Sequence, residues 1–344
     1  MFRISPRRVA ALLAVIGLSI LAGCASNGKS VSPAEPEPDQ RPVPDARRAD
    51  GSGLPRISLE AGAHQTLGEA FRYLGETFGG GAALLGGLED DPAPKGGLGT
   101  TGFVNGLERL AGQYGSKIQV TPHYVFFYPE GYEVLENISV ADKVDARFNT
   151  MRASFAIGAG TDLYNAFALL STSLQMTILA DNRIAETWCG EIFLDDAPVS
   201  AIVEAILKTA RLTPDAFEVE STSEYLFIRS SDNQSRAPSC LNRGELTAAQ
   251  EAILTSPLTL RLPDTGPELS FQSVSSPLAT VLPTLSSRLG IPVTATEGMG
   301  RLPVNISVFQ NVTVETALDL LVRQWPLPRY GYRLDEGGLH FCER

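Results

Sequence analysis

Leu258-Thr-Leu-Arg-Leu262 opens the stretch that decides the fold, which continues to Phe341. Four apolar residues within this stretch fall at helical spacing: Leu278, Leu282, Leu285 and Leu289. Gly290 then provides a natural helix stop. The run Val304-Asn-Ile-Ser-Val308 alternates with period two, which indicates a half-buried strand. Because a second helical pattern begins at Val314, the stretch predicts a strand, a helix, a pair of strands, a helix and a strand.

Residues with special backbone preferences set the predicted helix ends. Ser276 is expected to cap the helix that begins at Pro277, because Ser is a favoured N-cap and Pro suits the first helical position. Thr161 is expected to cap the corresponding helix earlier in the chain. Pro283 lies in the second turn of its helix, where the missing N–H donor predicts a kink.

The same order of patterns occurs in two earlier stretches of the chain. In each stretch we count from the first apolar residue of the first helix to that of the second helix. This gap is 37 residues in the first stretch (67 to 104), 36 in the second (163 to 199) and 36 in the third (278 to 314). Near-equal gaps of this length favour an internal repeat. We therefore expect an α+β fold built from three tandem βαββαβ modules.

Composition and pattern together predict six regions along the chain. They are a lipoprotein signal peptide (1–23), a disordered tether (24–53), a first, degenerate module (54–132), a second module (146–230), a linker with a short helix (231–257) and a third module (258–344). The tether is rich in Pro, Ser, Ala and charge, so it buries too little apolar surface to order itself. Within the first module, residues 86–102 are expected to form a long polar loop.

The repeated unit resembles a known periplasmic domain. The first helix carries the pattern Pro277-Leu278-x3-Leu282-x2-Leu285-x4-Gly290, and the second follows Asn311-Val-Thr-Val314-Glu-Thr-Ala317-Leu318-x2-Leu321. The middle copy matches with Asp196-Ala-Pro-Val199-Ser-Ala-Ile-Val203-x2-Ile206-Leu207. These patterns resemble the secretin and TonB short N-terminal domain, a small α/β module of secretin channels and of some TonB-dependent transporters. The resemblance implies the fold, but we do not expect the channel activity of that family in this chain.

The first 24 residues are similar to a bacterial lipoprotein signal. Three arginines (Arg3, Arg7 and Arg8) precede an apolar run that is too short to remain as a membrane span. The run ends in Leu21-Ala-Gly-Cys24, so Cys24 is expected to be acylated and to anchor the chain in the lipid bilayer. Ala25 follows the cysteine where an aspartate would imply the inner membrane, so we expect the outer membrane, facing the periplasm. An ordinary secretory signal is the alternative.

Charge and motif content exclude several function classes. The net charge of −11 argues against nucleic acid as a partner, because phosphate backbones require a basic surface. His64, His123 and His340 have no spacing typical of metal ligands. No serine of the mature chain lies in a Gly-x-Ser-x-Gly elbow. We therefore expect no metal, no cofactor and no catalytic residues.

Three cysteines remain in the oxidising compartment once Cys24 is acylated: Cys189, Cys240 and Cys342. The odd number implies a free thiol or an intermolecular bond. A disulfide between Cys240 and Cys342 is the favoured hypothesis, and a bond between Cys189 and Cys240 is the alternative.

Trp188 and Trp325 are the candidate interface residues, because Trp is enriched at binding hot spots. The favoured interpretation is nevertheless that each fills the core of its own module, and the interface role is the alternative. By resemblance, we expect a non-enzymatic lipoprotein that binds or assembles with an envelope protein, such as a secretin of a secretion or pilus system. A ligand-sensing or signalling lipoprotein is one alternative function, and an enzyme of unknown type is the other.

Overall fold

The structure is a computed structural model that describes residues 56–78, 81–235, 241, 243–262, 275–305 and 307–343. The predicted signal peptide, the acylation site Cys24, the tether and the thiol of Cys240 lie outside the described residues. Within the described ranges, no helix combines the length and the apolar character that crossing a bilayer requires.

The described chain combines helices with several small sheets, in agreement with the predicted α+β class. The strands are β1 (Arg56–Leu59), β2 (Ala82–Leu84), β3 (Leu98–Gly102), β4 (Ser116–Val120), β5 (Val125–Pro129), β6 (Arg152–Ile157), β7 (Thr177–Ala180), β8 (Ile192–Pro198), β9 (Phe217–Ser221), β10 (Tyr225–Ser230), β11 (Pro257–Leu262), β12 (Ser276–Pro277), β13 (Val293–Ala295), β14 (Pro303–Val304), β15 (Ser307–Thr313), β16 (Tyr330–Asp335) and β17 (Gly338–Glu343). The helices are α1 (Leu67–Phe78), α2 (Phe103–Gln113), α3 (Ala146–Thr150), α4 (Leu163–Leu174), α5 (Val199–Thr209), α6 (Ala248–Thr255), α7 (Leu278–Leu289), α8 (Glu297–Gly300) and α9 (Val314–Arg323).

Three consecutive sections of the chain pair their longer strands in the same order. We call them the first section (56–129), the second section (152–230) and the third section (257–343). In each section the opening strand pairs antiparallel with a later strand (β1–β3, β6–β8 and β11–β15). The strand after the first helix pairs parallel with the closing strand (β2–β5, β7–β10 and β13–β17). The closing strand also forms an antiparallel hairpin with the strand before it (β4–β5, β9–β10 and β16–β17).

The helices of the three sections follow one spacing. The second long helix of each section begins 36 residues after the first: Phe103 after Leu67, Val199 after Leu163, and Val314 after Leu278. The N–H group that opens each first helix donates to a carbonyl oxygen 24 residues further along: Leu67 to Asp91 (2.8 Å), Leu163 to Thr187 (2.9 Å) and Leu278 to Leu302 (2.8 Å). The predicted gap of 37 residues was wrong by one, because the buried Phe103 opens α2.

The start of α7 differs from the sequence-based expectation, whereas its end agrees with it. Ser276 does not cap the helix, because it pairs with Val304 in the short β12–β14 ladder. Pro277 is the N-cap residue, so the helix begins one residue later than predicted. Gly290 ends the helix at a φ of 69°, as predicted, and the helix continues through Pro283.

Two strands were missed by the sequence pattern. β3 lies within residues 86–102, which were predicted to be a loop, and β16 begins at Tyr330, where the sequence pattern indicated no strand. β3 carries no alternating apolar signal because only its Leu98 is buried. β16 carries Gly331 between Tyr330 and Tyr332, so its apolar signal comes from two aromatic rings that pack into the core.

The three-stranded sheets of the first two sections are buried on both faces. In β5, Val125 and Phe127 face the helices of their own section, whereas Phe126 and Tyr128 face the second section. In β10, Phe227 faces the third section in the same way. One face of each sheet therefore packs on its own helices, and the other face packs on the following section.

The first and second sections are joined by strand pairing and by helix packing. β2 pairs antiparallel with β8, which gives the sheet order β4-β5-β2-β8-β6. The Gly86 N–H donates to the carbonyl oxygen of Thr209, at the end of α5, at 3.1 Å. The Lys208 ammonium lies 5.9 Å from the centre of the Phe126 ring and 2.9 Å from the carboxylate of Glu204. This cation covers the back of the preceding sheet, where it is attracted to the face of the ring.

The second and third sections are joined by similar helix packing, but their described strands form no shared ladder. The Asn182 N–H donates to the carbonyl oxygen of Gln324, just after α9, at 2.9 Å. The Arg323 guanidinium lies 5.0 Å from the centre of the Phe227 ring and pairs with the carboxylate of Glu220 in β9. β7 also runs beside β15, as β2 runs beside β8. Lys208 is the tenth residue of α5 and Arg323 is the tenth residue of α9, so the two cations occupy equivalent positions.

A buried carboxylate adds a polar network to the second junction. Asp181 is fully buried, and its carboxylate accepts from the Ser230 N–H (2.7 Å), the Ser230 hydroxyl (2.8 Å) and the Asn233 side-chain amide (2.7 Å). The same Asn233 amide donates to the Arg323 carbonyl oxygen at 3.0 Å. Because a buried carboxylate is costly unless its oxygens are satisfied, this network fixes the relative position of the two sections.

The Glu220–Arg323 pair predicts a pH-dependent contribution to stability. The hydrogen bond from Arg323 lowers the pKa of Glu220, against the opposing effect of burial, and the Tyr225 hydroxyl also donates to this carboxylate at 2.8 Å. Because the folded-state pKa is depressed, the stabilisation is fully present above the unfolded pKa of about 4.3 and is lost as the pH falls below it. We expect Glu220→Gln to cost about 1–2 kcal/mol at pH 7, after allowance for screening of a partly exposed carboxylate, and less at pH 3.

Urea unfolding at both pH values measures this difference. Glu218→Gln is the matched control, because Glu218 lies on the same strand as Glu220 but pairs with Arg229 of β10 within one section, with its side chain half exposed. The control is expected to change the unfolding free energy by less than about 1 kcal/mol. An equal cost of Glu220→Gln at pH 7 and pH 3 would contradict the assignment.

Candidate functional site

Trp188 is the candidate functional residue that the structure leaves open to solvent. It has 71% of its side chain exposed, whereas the other exposed large apolar residues of the described chain lie between 37% and 51%: Tyr73, Val120, Val134 and Leu327. It lies in the segment that connects β7 to β8. An exposed indole is unusual on a protein surface, because it leaves a large apolar area in contact with water.

The backbone around Trp188 is held in place on both sides. Trp188 forms an isolated bridge with Asp162, which lies just before α4. The following residue, Cys189, donates its N–H to the Thr161 carbonyl oxygen at 2.7 Å and accepts from the Gly160 N–H at 3.1 Å. The exposed indole therefore projects from a fixed segment, so binding a partner costs little additional backbone ordering.

Asp162 fixes the start of α4 and thereby supports this segment. Its carboxylate accepts from the Asn165 N–H at 3.1 Å, so Asp162, and not the predicted Thr161, is the N-cap. Burial raises the pKa of Asp162, against the hydrogen bonds from Asn165 and Tyr164 that lower it. The side chain thus acts as a structural cap whose amide partners lie within the same turn.

Cys189 lies beneath Trp188 and is a packing residue. Its side chain is 1% exposed, and burial raises the pKa of its thiol, with a further contribution from the nearby charge of Asp162. The thiol is therefore protonated at neutral pH, and the thiolate is the form that reacts. The alternative disulfide to Cys240 is not tested, since Cys240 lies outside the described residues.

The first and third sections have a different residue and an additional hydrogen bond at the position of Trp188. Pro92 and Pro303 are the equivalents of Trp188, each 25 residues after the start of the first helix. The Pro92 carbonyl oxygen accepts from the Tyr114 hydroxyl at 2.6 Å, and that of Pro303 accepts from the Trp325 indole N–H at 2.8 Å. The second section has Ala210 where the others have Tyr114 and Trp325, so no aromatic side chain makes this contact there.

Trp325 does not belong to the candidate interface. It is 2% exposed, its indole N–H is satisfied by Pro303, and its ring packs edge-on against Tyr330 with centres 6.0 Å apart. The alternative interface role was therefore wrong for Trp325, and burial supports the favoured interpretation that it fills the core of its own section. The sequence signal was ambiguous because both tryptophans adjoin short polar or proline-rich segments.

Cys342 lies in β17 and is partly buried. Its predicted disulfide partner, Cys240, is outside the described residues, so that pairing stays a prediction.

The third section carries a hydrogen-bonded chain of three polar side chains that the sequence patterns did not predict. Thr294 Oγ1 lies 2.6 Å from His340 Nδ1, and His340 Nε2 lies 2.9 Å from Asp335 Oδ1. The Gly337 N–H is the main cause that lowers the pKa of Asp335, and His340 adds to it. The three residues come from β13, β17 and β16, so only the strand order places them together.

This chain has the order of a hydroxyl–imidazole–carboxylate triad, but its setting favours a structural role. It lies on the outer face of a sheet, with Asp335 about half exposed. Acyl transfer also needs donors arranged around a developing oxyanion and a site that excludes water. The equivalent positions in the first two sections hold the apolar pairs Ala83–Phe126 and Leu179–Phe227, which pack on a following section.

Two further features bear on the alternative functions. An open depression of about 450 Å³ beside β9 is lined by Lys143, Pro214, Asp215, Phe217, Glu218, Val219 and Ser231. This depression has room for a small ligand of a sensing protein. Among all the residues that the structure describes, no three His, Cys, Asp or Glu side chains are grouped so as to hold a metal ion.

Comparisons with models of protein families, with curated proteins and with solved structures found no match to this chain. Its function is therefore inferred from its own residues and their geometry.

The two tryptophans predict opposite effects of truncation on stability. We expect Trp188→Ala to change the unfolding free energy by less than about 0.5 kcal/mol, because the exposed ring supports little packing. We expect Trp325→Ala to cost about 3–5 kcal/mol, because it leaves a cavity in the core and removes one of the two hydrogen bonds to the Pro303 carbonyl oxygen. Denaturant unfolding of the two variants measures both values. A cost of more than about 2 kcal/mol for Trp188→Ala would show that the indole is structural.

Proposed function

We propose that this chain is a non-enzymatic lipoprotein of the outer membrane that faces the periplasm and binds a protein of the cell envelope. The observation that carries the proposal is the exposed indole of Trp188 on a segment fixed by backbone hydrogen bonds. Tryptophan side chains on ordered backbone are typical centres of binding energy in protein interfaces. The net charge of −11 supports a protein partner over nucleic acid.

We infer that the three sections are copies of one module, similar to the secretin and TonB short N-terminal domain. The shared pairing order, the 36-residue helix spacing and the 24-residue hydrogen-bond spacing support this inference. By that resemblance, the partner is a secretin or another pore-forming envelope protein. Small α/β modules of this kind offer strand edges and helix faces to partners, and neither requires catalytic chemistry.

The proposed anchor determines where the modules work. Acylation at Cys24 would hold the chain to the bilayer, because each buried methylene of an acyl chain contributes about 0.8 kcal/mol. A tether of residues 24–53 behaving as a flexible coil would span roughly 30 Å. The modules would then reach a partner at a short distance from the membrane surface.

Site-specific photo-crosslinking in living cells tests this proposal. The full chain carries a photoreactive amino acid in place of Trp188 and a C-terminal tag, and crosslinked material is identified by mass spectrometry. The matched control places the same amino acid at Glu224, which is equally accessible on the turn between β9 and β10. We expect one envelope protein to be enriched at least tenfold at position 188 over position 224.

Two results would contradict the proposal. If both positions capture the same abundant bystanders, Trp188 is not part of an interface. If Cys24→Ser leaves the chain in the membrane fraction unchanged, the lipid anchor is wrong even where the partner is found. The two parts of the proposal therefore fail separately.

A further inference from the structure

Every junction inside the chain uses the same two surfaces. The leading surface of a section consists of the outer edge of its third long strand and the outer face of its second helix. The trailing surface consists of the outer edge of its second strand and the back of its three-stranded sheet. The leading surface of the second section packs on the trailing surface of the first, and that of the third packs on the second.

One surface of each kind is left without a counterpart in the described chain. At one end is the leading surface of the first section, made of β3 and α2. Gly99 and Thr100 of β3 are exposed there, and β3 pairs with β1 alone. At the other end is the trailing surface of the third section, where β13 is the edge strand of the order β13-β17-β16 and Thr294 is exposed.

At each of the two open ends, one partner of the cation–aromatic contact seen at the internal junctions is replaced by another residue. Internal junctions place a cation over an aromatic ring, as Lys208 lies over Phe126. At the trailing end, His340 takes the position of the aromatic ring. At the leading end, Gly112 takes the position of the cation, and nothing lies within 4 Å of the place where its Cβ would stand. A cation at that place would repel a protonated imidazole, whereas glycine leaves room for it.

The charges at the two open ends are also complementary. Glu108 is exposed on α2 and is equivalent to Glu204, whose carboxylate reaches across the first junction to the Tyr124 hydroxyl at 2.8 Å. When the open ends are placed as in that junction, Glu108 faces the surface that carries His340. A carboxylate opposite an imidazole favours the contact, most strongly when the imidazole is protonated.

We propose that two copies of this chain associate head to tail, the trailing surface of one third section packing on the leading surface of another first section. The contact would repeat the strand pairing of β2 with β8. Ala83 faces Ile192 in that pairing. Their equivalents are Thr294 and Gly96, which would therefore lie opposite each other.

This association would be reversible and open-ended. The trailing end presents Thr294 and His340 in place of the apolar residues that internal junctions bury, so the hydrophobic contribution is smaller. A head-to-tail contact uses two different surfaces, so it extends into short rows unless a rotation closes it into a ring. The inference goes beyond the proposed partner binding, which depends on Trp188 and not on either open end.

Directed disulfide crosslinking tests the contact. One full-length copy carries Thr294→Cys, another with a different tag carries Gly96→Cys, and the two are mixed in detergent under mild oxidation. Nothing lies within 4 Å of a Cβ at Gly96, so the second substitution is tolerated. The matched control replaces Gly96→Cys by Glu224→Cys, which also reports any background from native thiols. We expect the mixed dimer at a yield at least about fivefold above the control.

A charge variant separates this contact from random collision. Glu108→Lys on the Gly96→Cys copy is expected to lower the mixed-dimer yield several-fold, because lysine would face His340. Glu76→Lys, on the exposed face of α1, is expected to leave the yield unchanged. A yield equal to the Glu224→Cys control, or one that Glu108→Lys does not lower, would overturn the proposal. Circular dichroism of each variant checks that it is folded.

Discussion

The structure depends on burying the back of the sheets of the first and second sections under the section that follows. Phe126 and Phe227 are fully buried, yet neither faces the helices of its own section. A section isolated from its follower would expose these rings and the apolar residues beside them. Stability is therefore shared between neighbouring sections, because the contact between them buries these apolar side chains.

The cation over each ring resolves a conflict that this arrangement creates. A helix that packs on a sheet near its C-terminus brings polar groups close to aromatic side chains. Lys208 is 1% exposed, and its charge is compensated by Glu204, by the Gln119 amide oxygen at 2.8 Å and by the ring faces. His340 and Thr294 make the sheet face of the third section more polar than those of the first two, so water can cover it. Trp188 lies apart from this system, which leaves it available to a partner.

The sequence was sufficient for the parts of the fold that depend on local periodicity. α1 begins at Leu67, where the first helix was expected to begin, because Leu67, Ala70, Phe71 and Leu74 form one buried stripe. Features that depend on contacts distant in sequence were not predictable. The buried Asp181 is satisfied by residues about 50 positions away, and Thr294 meets His340 only through the pairing of β13 with β17. The burial of Trp325 likewise depends on a distant contact, since its indole N–H donates to the Pro303 carbonyl oxygen.

Hydrogen exchange at the Gly86 and Asn182 amides tests the account of the junctions most directly. Each N–H lies outside a regular helix or strand and donates to a carbonyl oxygen of the following section. The account predicts that both are protected on the order of 100-fold or more. Glu297, at the equivalent position of the third section, should exchange without protection at low protein concentration. Exchange of Gly86 and Asn182 as fast as that of Glu297 would contradict the claim that the sections are held together by one repeated junction.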